Sequence, residues 1–491
     1  MAATSNCDVI CWDTETSDTD VRHGQIFDFA AVTSNLADLV ETGTRTVRIR
    51  RLSYCIPAYG ALSTNKLDPY ALEASDRLDE FAAAASIHGI LSPKPGRPLV
   101  VLGYNILSFD EEIVRTTFFR NLLDPYATSA KGVRRFDLLP AARLAHALDP
   151  ESFRAGRDDA GTPSFRLEKI APANGIGLNA HEALEDARAT LALARRLRTA
   201  VPAAWETCLR ASDRYEAERV FEAALARDEP IWVLAGGNSP VLEPVLPVAK
   251  VGRLLVHLKT SQLAESMRVG PWALDLDDWR ESPLVRCRTN RMPIVLSAAA
   301  AAVLCEMHPD TFRIHPEDVP EPDRGWAEFR RVLASRVADA DPWSQPADPS
   351  AEERIYDGFV DWSEKDRMRE FRRLETWEER AAAFGRFRDP RIREFAARAI
   401  VEHGGMTHAG IVAAAGELAA DEIADLAGVA FERPFTGDDS RWMTLAKGRL
   451  EGEGDLRYRN WLEAVATPET ATPPPIVPVE ADRRGQFGWS F

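Results

Sequence analysis

The stretch Val9-Ile10-Cys11-Trp12-Asp13-Thr14-Glu15-Thr16 decides how the rest of the chain is interpreted. A run of strand-forming residues ends there in two carboxylates, Asp13 and Glu15, spaced two positions apart. Side chains two apart on a strand point to the same side, so both carboxylates face one point. Their negative charges repel each other unless a cation lies between them. The stretch predicts a divalent metal site or, as the plain alternative, a solvated strand end.

The composition is that of an ordinary protein with room for several hydrophobic cores. The chain has 491 residues, of which 45% are hydrophobic, and this length suits about three domains. No run approaches the ~20 apolar residues of a membrane span, and the first residues lack a signal-peptide pattern. The six cysteines form no CxxC pair. We expect a cytoplasmic protein with neither a disulfide framework nor a zinc site.

The formal net charge of −16 argues against indiscriminate binding to polyanions. Affinity for nucleic acids depends on Lys and Arg side chains that neutralise phosphates. Arginine clusters nevertheless occur at residues 45–51, 134–135, 195–198 and 286–291. A solvated surface is the plain interpretation of such clusters.

Two later stretches add further acidic and imidazole groups. A buried-strand pattern over residues 99–105 is followed by Asp110 at the predicted start of a helix, where a helix cap is the plain alternative. A later helical pattern places Asp186 beside a stripe of small residues, with His181 about one turn earlier. For His181 the plain alternative is a cap or surface residue. The four acids and the histidine together form the pattern DxE, D, HxxxxD.

This order of residues resembles that of the DEDDh exonucleases, which share a ribonuclease H-like fold. Within that group the chain is most similar to the bacterial exonuclease I family. The similarity extends to further stretches, which are Leu102-Gly103-Tyr104-Asn105, Asp124-Pro125-Tyr126-Ala127, Phe136-Asp137-Leu138-Leu139 and Pro163-Ser164-Phe165-Arg166-Leu167-Glu168.

The resemblance implies an α/β fold class with additional domains. An exonuclease domain, with a mixed sheet flanked by helices, is expected over residues 1–200. An SH3-like β domain is expected over residues 201–352, where short β-like runs alternate with turn residues. A helical C-terminal domain is expected over residues 353–466, and residues 467–491 form a Pro-rich tail with an aromatic end.

The resemblance also implies an activity, which is the 3′→5′ degradation of single-stranded DNA to 5′-mononucleotides in DNA repair and recombination. Asp13, Glu15, Asp110 and Asp186 would hold two Mg²⁺ ions, which Mn²⁺ can replace. Carboxylate oxygens are the ligands that these hard cations prefer. His181 would be the general base for the attacking water, since the ordinary pKa of imidazole, ~6.5, is close to working pH.

Five residues are predicted to bind the substrate, namely Glu15, Tyr104, Asn105, Phe165 and Arg166. The two aromatic side chains either stack on terminal bases or pack in the core. The Asn105 amide can hydrogen-bond a phosphate or a base edge. The Arg166 guanidinium either holds a phosphate or forms a surface ion pair.

Several alternatives stay open at this stage. The family commonly has a Thr-Gly-Ile turn beside the 3′ nucleotide, whereas this chain has Ser63-Thr64-Asn65-Lys66-Leu67. An RNA 3′→5′ exonuclease is an alternative function, and so is a component that holds a 3′ end in a repair or defence assembly. The resemblance further implies contact with the C-terminal tail of single-stranded DNA-binding protein, at a surface that the sequence does not locate. We expect a monomer.

Overall fold

A computed structural model describes residues 7–178, 182–276, 282–340, 349–406, 448–449 and 454–466. The strands are β1 (Asp8–Thr16), β2 (Ile26–Asn35), β3 (Gly43–Arg48), β4 (Leu99–Gly103), β5 (Val133–Asp137), β6 (Gly156–Arg157), β7 (Pro163–Ser164), β8 (Ile231–Ala235), β9 (Val241–Val251), β10 (Leu254–Lys259), β11 (Leu284–Arg288) and β12 (Val295–Ser297). The helices are α1 (Tyr59–Thr64), α2 (Glu80–Leu91), α3 (Asp110–Arg120), α4 (Leu138–Leu148), α5 (Leu167–Ala173), α6 (Ala183–Ala200), α7 (Pro202–Ala211), α8 (Glu216–Leu225), α9 (Leu263–Val269), α10 (Ala298–Met307), α11 (Trp326–Asp339), α12 (Trp362–Arg373), α13 (Trp377–Ala383), α14 (Pro390–Gly404) and α15 (Leu456–Ala466). No helix in these ranges has the length and apolar character that a membrane crossing requires.

Strands β1 to β5 form one mixed sheet in the order β3-β2-β1-β4-β5. The central strand β1 pairs antiparallel with β2 and parallel with β4. Its apolar residues are almost completely buried, with Val9 and Cys11 at 0% exposure and Trp12 at 1%. Helix α6 packs across β1 and β2. The α/β part of the predicted fold class is confirmed by this helix-flanked mixed sheet.

The second sheet is fully antiparallel, with five strands in the order β11-β10-β9-β8-β12. It lies within the span that the sequence predicts to be a β domain. That span also holds helices, and the first of them, α7, packs on α4 and α6. Trp205 of α7 stacks on Phe136 of β5 with ring centroids 4.9 Å apart. Helix α7, which follows the predicted boundary at residue 200, thus buries its apolar face against helices and a strand of the first domain.

The helices after residue 353 contact the first domain at two places. Phe395 of α14 meets Phe119 of α3 edge to face, with ring centroids 5.3 Å apart. Tyr458 and Trp461 of α15 are buried in a cluster with Phe27 of β2. The tail predicted over residues 467–491 lies outside the described residues. The SH3-like character of the β region and the domain boundaries remain predictions.

Candidate active site

Three of the predicted acids come together at the C-terminal end of β1. Asp13 and Glu15 lie among the last four residues of β1, and Asp186 lies in the first turn of α6. Carboxylate oxygens of the three residues lie within 4.8 Å of one another. The thiol of Cys11 donates a hydrogen bond of 3.2 Å to the Ala187 carbonyl, which ties α6 to β1 beside these acids. The two carboxylates on one side of β1 thus lie next to the carboxylate in the first turn of α6.

Asp110 is the fourth acid, and it is the first residue of α3 rather than the residue that caps it. Its side chain is 7% exposed and accepts a hydrogen bond of 2.5 Å from Thr14 Oγ1. Thr14 lies between Asp13 and Glu15 in β1, so this bond joins the head of α3 directly to the site strand. The negative charge of Asp110 also contributes to the raised pKa of Asp13.

Burial and mutual repulsion raise the pKa values of these acids. Burial, followed by the charges of Asp110, Glu15 and Asp186, raises the pKa of Asp13 well above its usual range. Burial and then the charge of Asp186 raise the pKa of Glu15 to about 8. Burial raises the pKa of Asp110 to about 7, although the hydrogen bond from Thr14 opposes the shift. The cluster therefore carries an electrostatic cost that a cation would remove.

The donor set fits a divalent metal ion. In the part of the chain that the structure describes, no Lys or Arg side chain forms an ion pair with Asp13, Glu15 or Asp110. All the donors are carboxylate oxygens, which Mg²⁺ and Mn²⁺ prefer over Zn²⁺-type nitrogen and sulfur ligands. Glu15 and Asp110 are buried and Asp13 is half-buried, and no lysine or arginine of the described residues neutralises any of the three.

Another buried acid, Asp137, organises the turn that follows β4. Its carboxylate accepts hydrogen bonds from the backbone N–H groups of Asn105, at 2.8 Å, and Leu107, at 3.2 Å. Burial raises its pKa to about 6. Gly103 begins this turn, and a Cβ there would lie 2.1 Å from the Ile106 side chain. Asp137 is not among the site residues that the sequence predicts, although it lies in one of the stretches that carry the family resemblance.

The predicted substrate-binding residues fall into two groups. Asn105 and Arg166 are exposed. Tyr104 is half-buried, and its hydroxyl donates a hydrogen bond to the Phe165 carbonyl. Phe165 is 3% exposed and meets the His146 ring edge to face at 5.6 Å. Of the two interpretations that the sequence leaves open for Phe165, the structure favours core packing over stacking on a base.

His181 lies outside the described residues. The next residue, Glu182, is described and precedes the first residue of α6. Asp186 is in the first turn of the same helix, so α6 begins at the end where the acids are gathered. The assignment of His181 as a general base remains a prediction.

The segment that departs from the family's turn lies next to the acids. Helix α1 ends at Thr64, and the Asn65 side-chain amide donates a hydrogen bond of 3.4 Å to the Thr16 carbonyl, one residue beyond Glu15. Lys66 follows with a positive φ of 53° and an exposed side chain. Asn65 is a site neighbour that the sequence does not single out, and the departure from the family's turn is the signal that points to it.

Comparison with known proteins relates the chain to one group of enzymes. No protein-family model matches the chain. It is 29% identical over 333 residues to exodeoxyribonuclease I of Escherichia coli K12, a match that covers 64% of this chain and 67% of that relative. It is 40% identical over 124 residues to exodeoxyribonuclease I of Haemophilus influenzae. That second match covers 25% of this chain and spans about a quarter, 26%, of the relative.

The fold extends this similarity over almost the whole chain. Exonuclease I of E. coli in complex with a dA16 oligonucleotide matches 94% of this chain and 98% of its own, with a TM-score of 0.71 and 22% identity. Two other structures of exonuclease I match with TM-scores of 0.70, one an E. coli complex with single-stranded DNA and a zinc ion and one described as SSB/exonuclease I with an inhibitor. The sequence relatives and the shared fold thus support the relationship to bacterial exonuclease I that the sequence motifs predict.

Proposed function

We propose that the chain is a metal-dependent 3′→5′ exodeoxyribonuclease that hydrolyses single-stranded DNA to 5′-mononucleotides and serves DNA repair or recombination. The observation that carries the proposal is the gathering of Asp13, Glu15 and Asp186 within 4.8 Å, with Asp110 beside them. The substrate class is supported by relatives named exodeoxyribonuclease I and by the oligonucleotide bound to the matching E. coli structure.

The four acids would hold two Mg²⁺ ions, which Mn²⁺ can replace. Asp13, Glu15 and Asp186 would share one ion, and Asp13 with Asp110 would hold the other. Bound ions of this kind lower the pKa of water and stabilise the charge that develops on the phosphate. The raised pKa values of Asp13, Glu15 and Asp110 support this assignment, because each carboxyl is held in the fold at an electrostatic cost.

His181 would take the proton from the attacking water. The pKa of a free imidazole, ~6.5, lets it accept a proton near neutral pH. We expect His181→Ala to keep metal binding and DNA binding while it loses most of the turnover. Unchanged turnover in this variant would remove His181 from the role.

Asn105 and Arg166 would contact the substrate near its 3′ end. Asn105 is exposed in a turn whose backbone Asp137 holds by hydrogen bonds, so its amide is presented from a fixed position. Arg166 is exposed and has no ion pair within the described part of the chain, which leaves its guanidinium available for a phosphate. Tyr104 would present its half-buried ring to the terminal base, with Phe165 packed behind it.

The regions beyond the exonuclease domain would enclose the strand. We place an SH3-like β domain at 201–352 and a helical domain at 353–466, supported by the five antiparallel strands and by helices α12 to α15. The matching structure described as SSB/exonuclease I supports single-stranded DNA-binding protein as a partner. We expect a monomer.

The deciding experiment is a time course with 5′-labelled single-stranded DNA, the matching RNA and a duplex, each with Mg²⁺ and with chelator. Wild type is compared with Asp13→Asn and with Asp159→Asn, a control in an exposed loop whose side chain forms only a surface contact with Lys169. We expect metal-dependent shortening of the DNA that is lost in Asp13→Asn alone. Faster shortening of RNA would favour the ribonuclease alternative, and binding without shortening would favour the end-holding component.

A further inference from the structure

The first turn of α3 carries three consecutive buried acids. Asp110, Glu111 and Glu112 are 7%, 1% and 6% exposed. Because an α-helix is stiff over a single turn, the three side chains are carried by one rigid piece of backbone. Asp110 is bonded to Thr14 beside the candidate metal site, and its two neighbours face other parts of the molecule.

Glu111 connects this turn to the β region. Arg135 of β5 donates to Glu111 Oε1 through Nε at 2.7 Å, and its Nη2 also contacts Glu111 Oε2. The same Nη2 donates to the Asn290 carbonyl at 3.0 Å, in the short turn between β11 and β12. Arg115 completes the neutralisation of Glu111, with 3.2 Å between Nη2 and Oε1. One guanidinium thus joins the head of α3 to the second sheet.

Glu112 connects the same turn to the helical region. The Tyr356 hydroxyl donates to Glu112 Oε2 at 2.7 Å, and Tyr356 is the last residue of a short 3₁₀ helix, Glu353–Tyr356. Arg22 lies over the Tyr356 ring, with 4.8 Å between the guanidinium carbon and the ring centroid. Arg22 belongs to the loop between β1 and β2, which directly follows the site strand.

The hydrogen bond from the Tyr356 hydroxyl, at 2.7 Å, is shorter than the contacts that Glu112 makes with arginines. The two arginine contacts are longer, at 3.4 Å from Arg115 Nη1 to Oε1 and 3.5 Å from Arg22 Nη1 to Oε2. A carboxylate that is 6% exposed cannot replace a lost hydroxyl with bulk water, so it would have to shift toward the arginines. Such a shift would move the turn that also carries Asp110.

We propose that Tyr356 is a positioning residue, whose hydrogen bond to Glu112 holds the first turn of α3 so that Asp110 is aimed at the metal site. Arg135, through Glu111 and Asn290, braces the same turn from the β region. The first turn of α3 is therefore the place where three parts of the chain meet and jointly set one metal ligand. This inference rests on the proposed function and adds residues that act through Asp110 without touching metal or substrate.

The test compares Tyr356→Phe with Tyr458→Phe in the full-length protein. Tyr458 is a matched control, because its hydroxyl also joins a C-terminal helix to the first domain, through a hydrogen bond of 2.8 Å to the Pro57 carbonyl, away from α3. Metal affinity is read from the rise in melting temperature during Mn²⁺ titration, without any nucleic acid. Hydrolysis of single-stranded DNA is measured in parallel to separate kcat from KM.

Tyr356→Phe should raise the half-saturating Mn²⁺ concentration and lower kcat, each about five- to tenfold, because a small displacement of a ligand costs much of its effect. The KM for DNA should stay within about twofold, since binding groups are untouched. Tyr458→Phe should lower the melting temperature and leave the Mn²⁺ titration and kcat unchanged. Equal Mn²⁺ titrations for wild type and Tyr356→Phe would overturn the inference.

A double-mutant cycle with Glu112→Gln excludes a general loss of stability. If Tyr356 acts through Glu112, the double variant should show the same Mn²⁺ affinity as the weaker single variant, whereas additive losses would overturn the inference. Wild type that binds Mn²⁺ and degrades no nucleic acid would refute the proposed function alone, because the Mn²⁺ titration still tests the positioning role. Wild type that binds no Mn²⁺ would refute both.

Discussion

Asp110 and Glu111 are adjacent residues in one helical turn, and both are buried. The pKa of Asp110 is nevertheless raised, whereas the pKa of Glu111 is lowered. Burial raises the pKa of Asp110 to about 7, with only the hydrogen bonds from Thr14 and the backbone opposing it. Burial also pushes the pKa of Glu111 upward, but Arg115 and Arg135 outweigh it and bring the pKa down to about 2. Desolvation is common to both residues, so the difference comes from the cations around them.

This contrast separates two kinds of buried acid in the molecule. Glu111 is neutralised by arginines of its own chain, and Glu80 is neutralised in the same way by Arg120 at 2.5 Å. In such pairs both charges are neutralised within the chain, so no external ion is needed. Within the described part of the chain, Asp13, Glu15 and Asp110 form no ion pair with an arginine or lysine, so their charges are of the kind that an external cation would offset. We expect the first kind of acid to support structure and the second kind to support the proposed chemistry.

The sharpest way to test this contrast is to remove a carboxylate from each kind of cluster. Asp13→Asn should reduce hydrolysis by about 10³-fold or more, because it removes a ligand that both ions are expected to share. The melting temperature of the metal-free variant should equal or exceed that of wild type, since repulsion at the site is relieved. Activity assays and calorimetry with chelator measure the two effects. A large fall in melting temperature would place Asp13 among the structural acids instead.

Glu111→Gln should behave in the opposite way. It keeps the shape of the side chain but leaves Arg115 and Arg135 buried beside a neutral amide, so we expect the free energy of unfolding to fall by about 3–5 kcal/mol. Urea denaturation with unchanged m-value would measure this loss. The matched comparison is Asp13→Asn under the same conditions. Equal stability of Glu111→Gln and wild type would show that the arginines do not distinguish the two kinds of acid.

The pH dependence of stability should also differ between the clusters. The pKa of Glu15 is about 8 in the folded chain against an ordinary 4.5, so the metal-free folded state binds more protons between these values. The free energy of unfolding should therefore fall as pH rises from about 4.5 to about 8. Glu111 contributes with the opposite sign, and its stabilisation is lost as pH falls toward about 2. Melting curves with chelator at pH 5.5, 6.5, 7.5 and 8.5 measure the first slope.

Glu15→Gln supplies the control for this slope. It removes the titrating group, so its melting temperature should vary less with pH than that of wild type in the same range. Saturating Mg²⁺ should flatten the wild-type slope as well, since the metal replaces the protons. A slope that is identical in wild type and Glu15→Gln would assign the pH dependence to other groups.

The acids of the candidate metal site could be predicted from the sequence because their signals are local. A period of two places Asp13 and Glu15 on one side of a strand, and a helix start follows a buried strand at Asp110. The position of Asp186 follows from the stripe of small residues on α6. These patterns concern neighbouring residues, so they need no knowledge of how distant segments meet.

The supporting contacts could not be predicted because they join residues far apart in the chain. Glu112 and Tyr356 are 244 positions apart, and Asp137 meets Asn105 across 32 positions. Nothing in the sequence near either partner indicates such a pair. For Phe165 the sequence left core packing and base stacking equally open, and only its burial favours one of them. Helix α7 packs on the first domain for a similarly nonlocal reason, the contact of Trp205 with Phe136.

The smallest expected effect comes from removing a single hydroxyl group beside each acid. It should change metal binding and the rate profile when the hydroxyl faces Asp110 but not when it faces Glu111. Thr14 Oγ1 donates to Asp110 and Thr128 Oγ1 donates to Glu111, each at 2.5 Å. Thr14→Val removes a bond to the charged form, so the pKa of Asp110 should rise above about 7, by roughly one unit. At pH 7 more of this ligand is then protonated, and the half-saturating Mg²⁺ concentration should increase severalfold.

The acid limb of the rate profile in Thr14→Val should accordingly move to higher pH, and the difference from wild type should vanish near pH 9, where Asp110 is ionised in both proteins. Thr128→Val loses an equally short hydroxyl contact, yet the pKa of Glu111 starts at about 2 and stays far below working pH. Its rate profile should therefore match that of wild type even if its melting temperature falls. A shift of the acid limb in Thr128→Val, or none in Thr14→Val, would show that the arginines around Glu111 do not make its carboxylate different from that of Asp110.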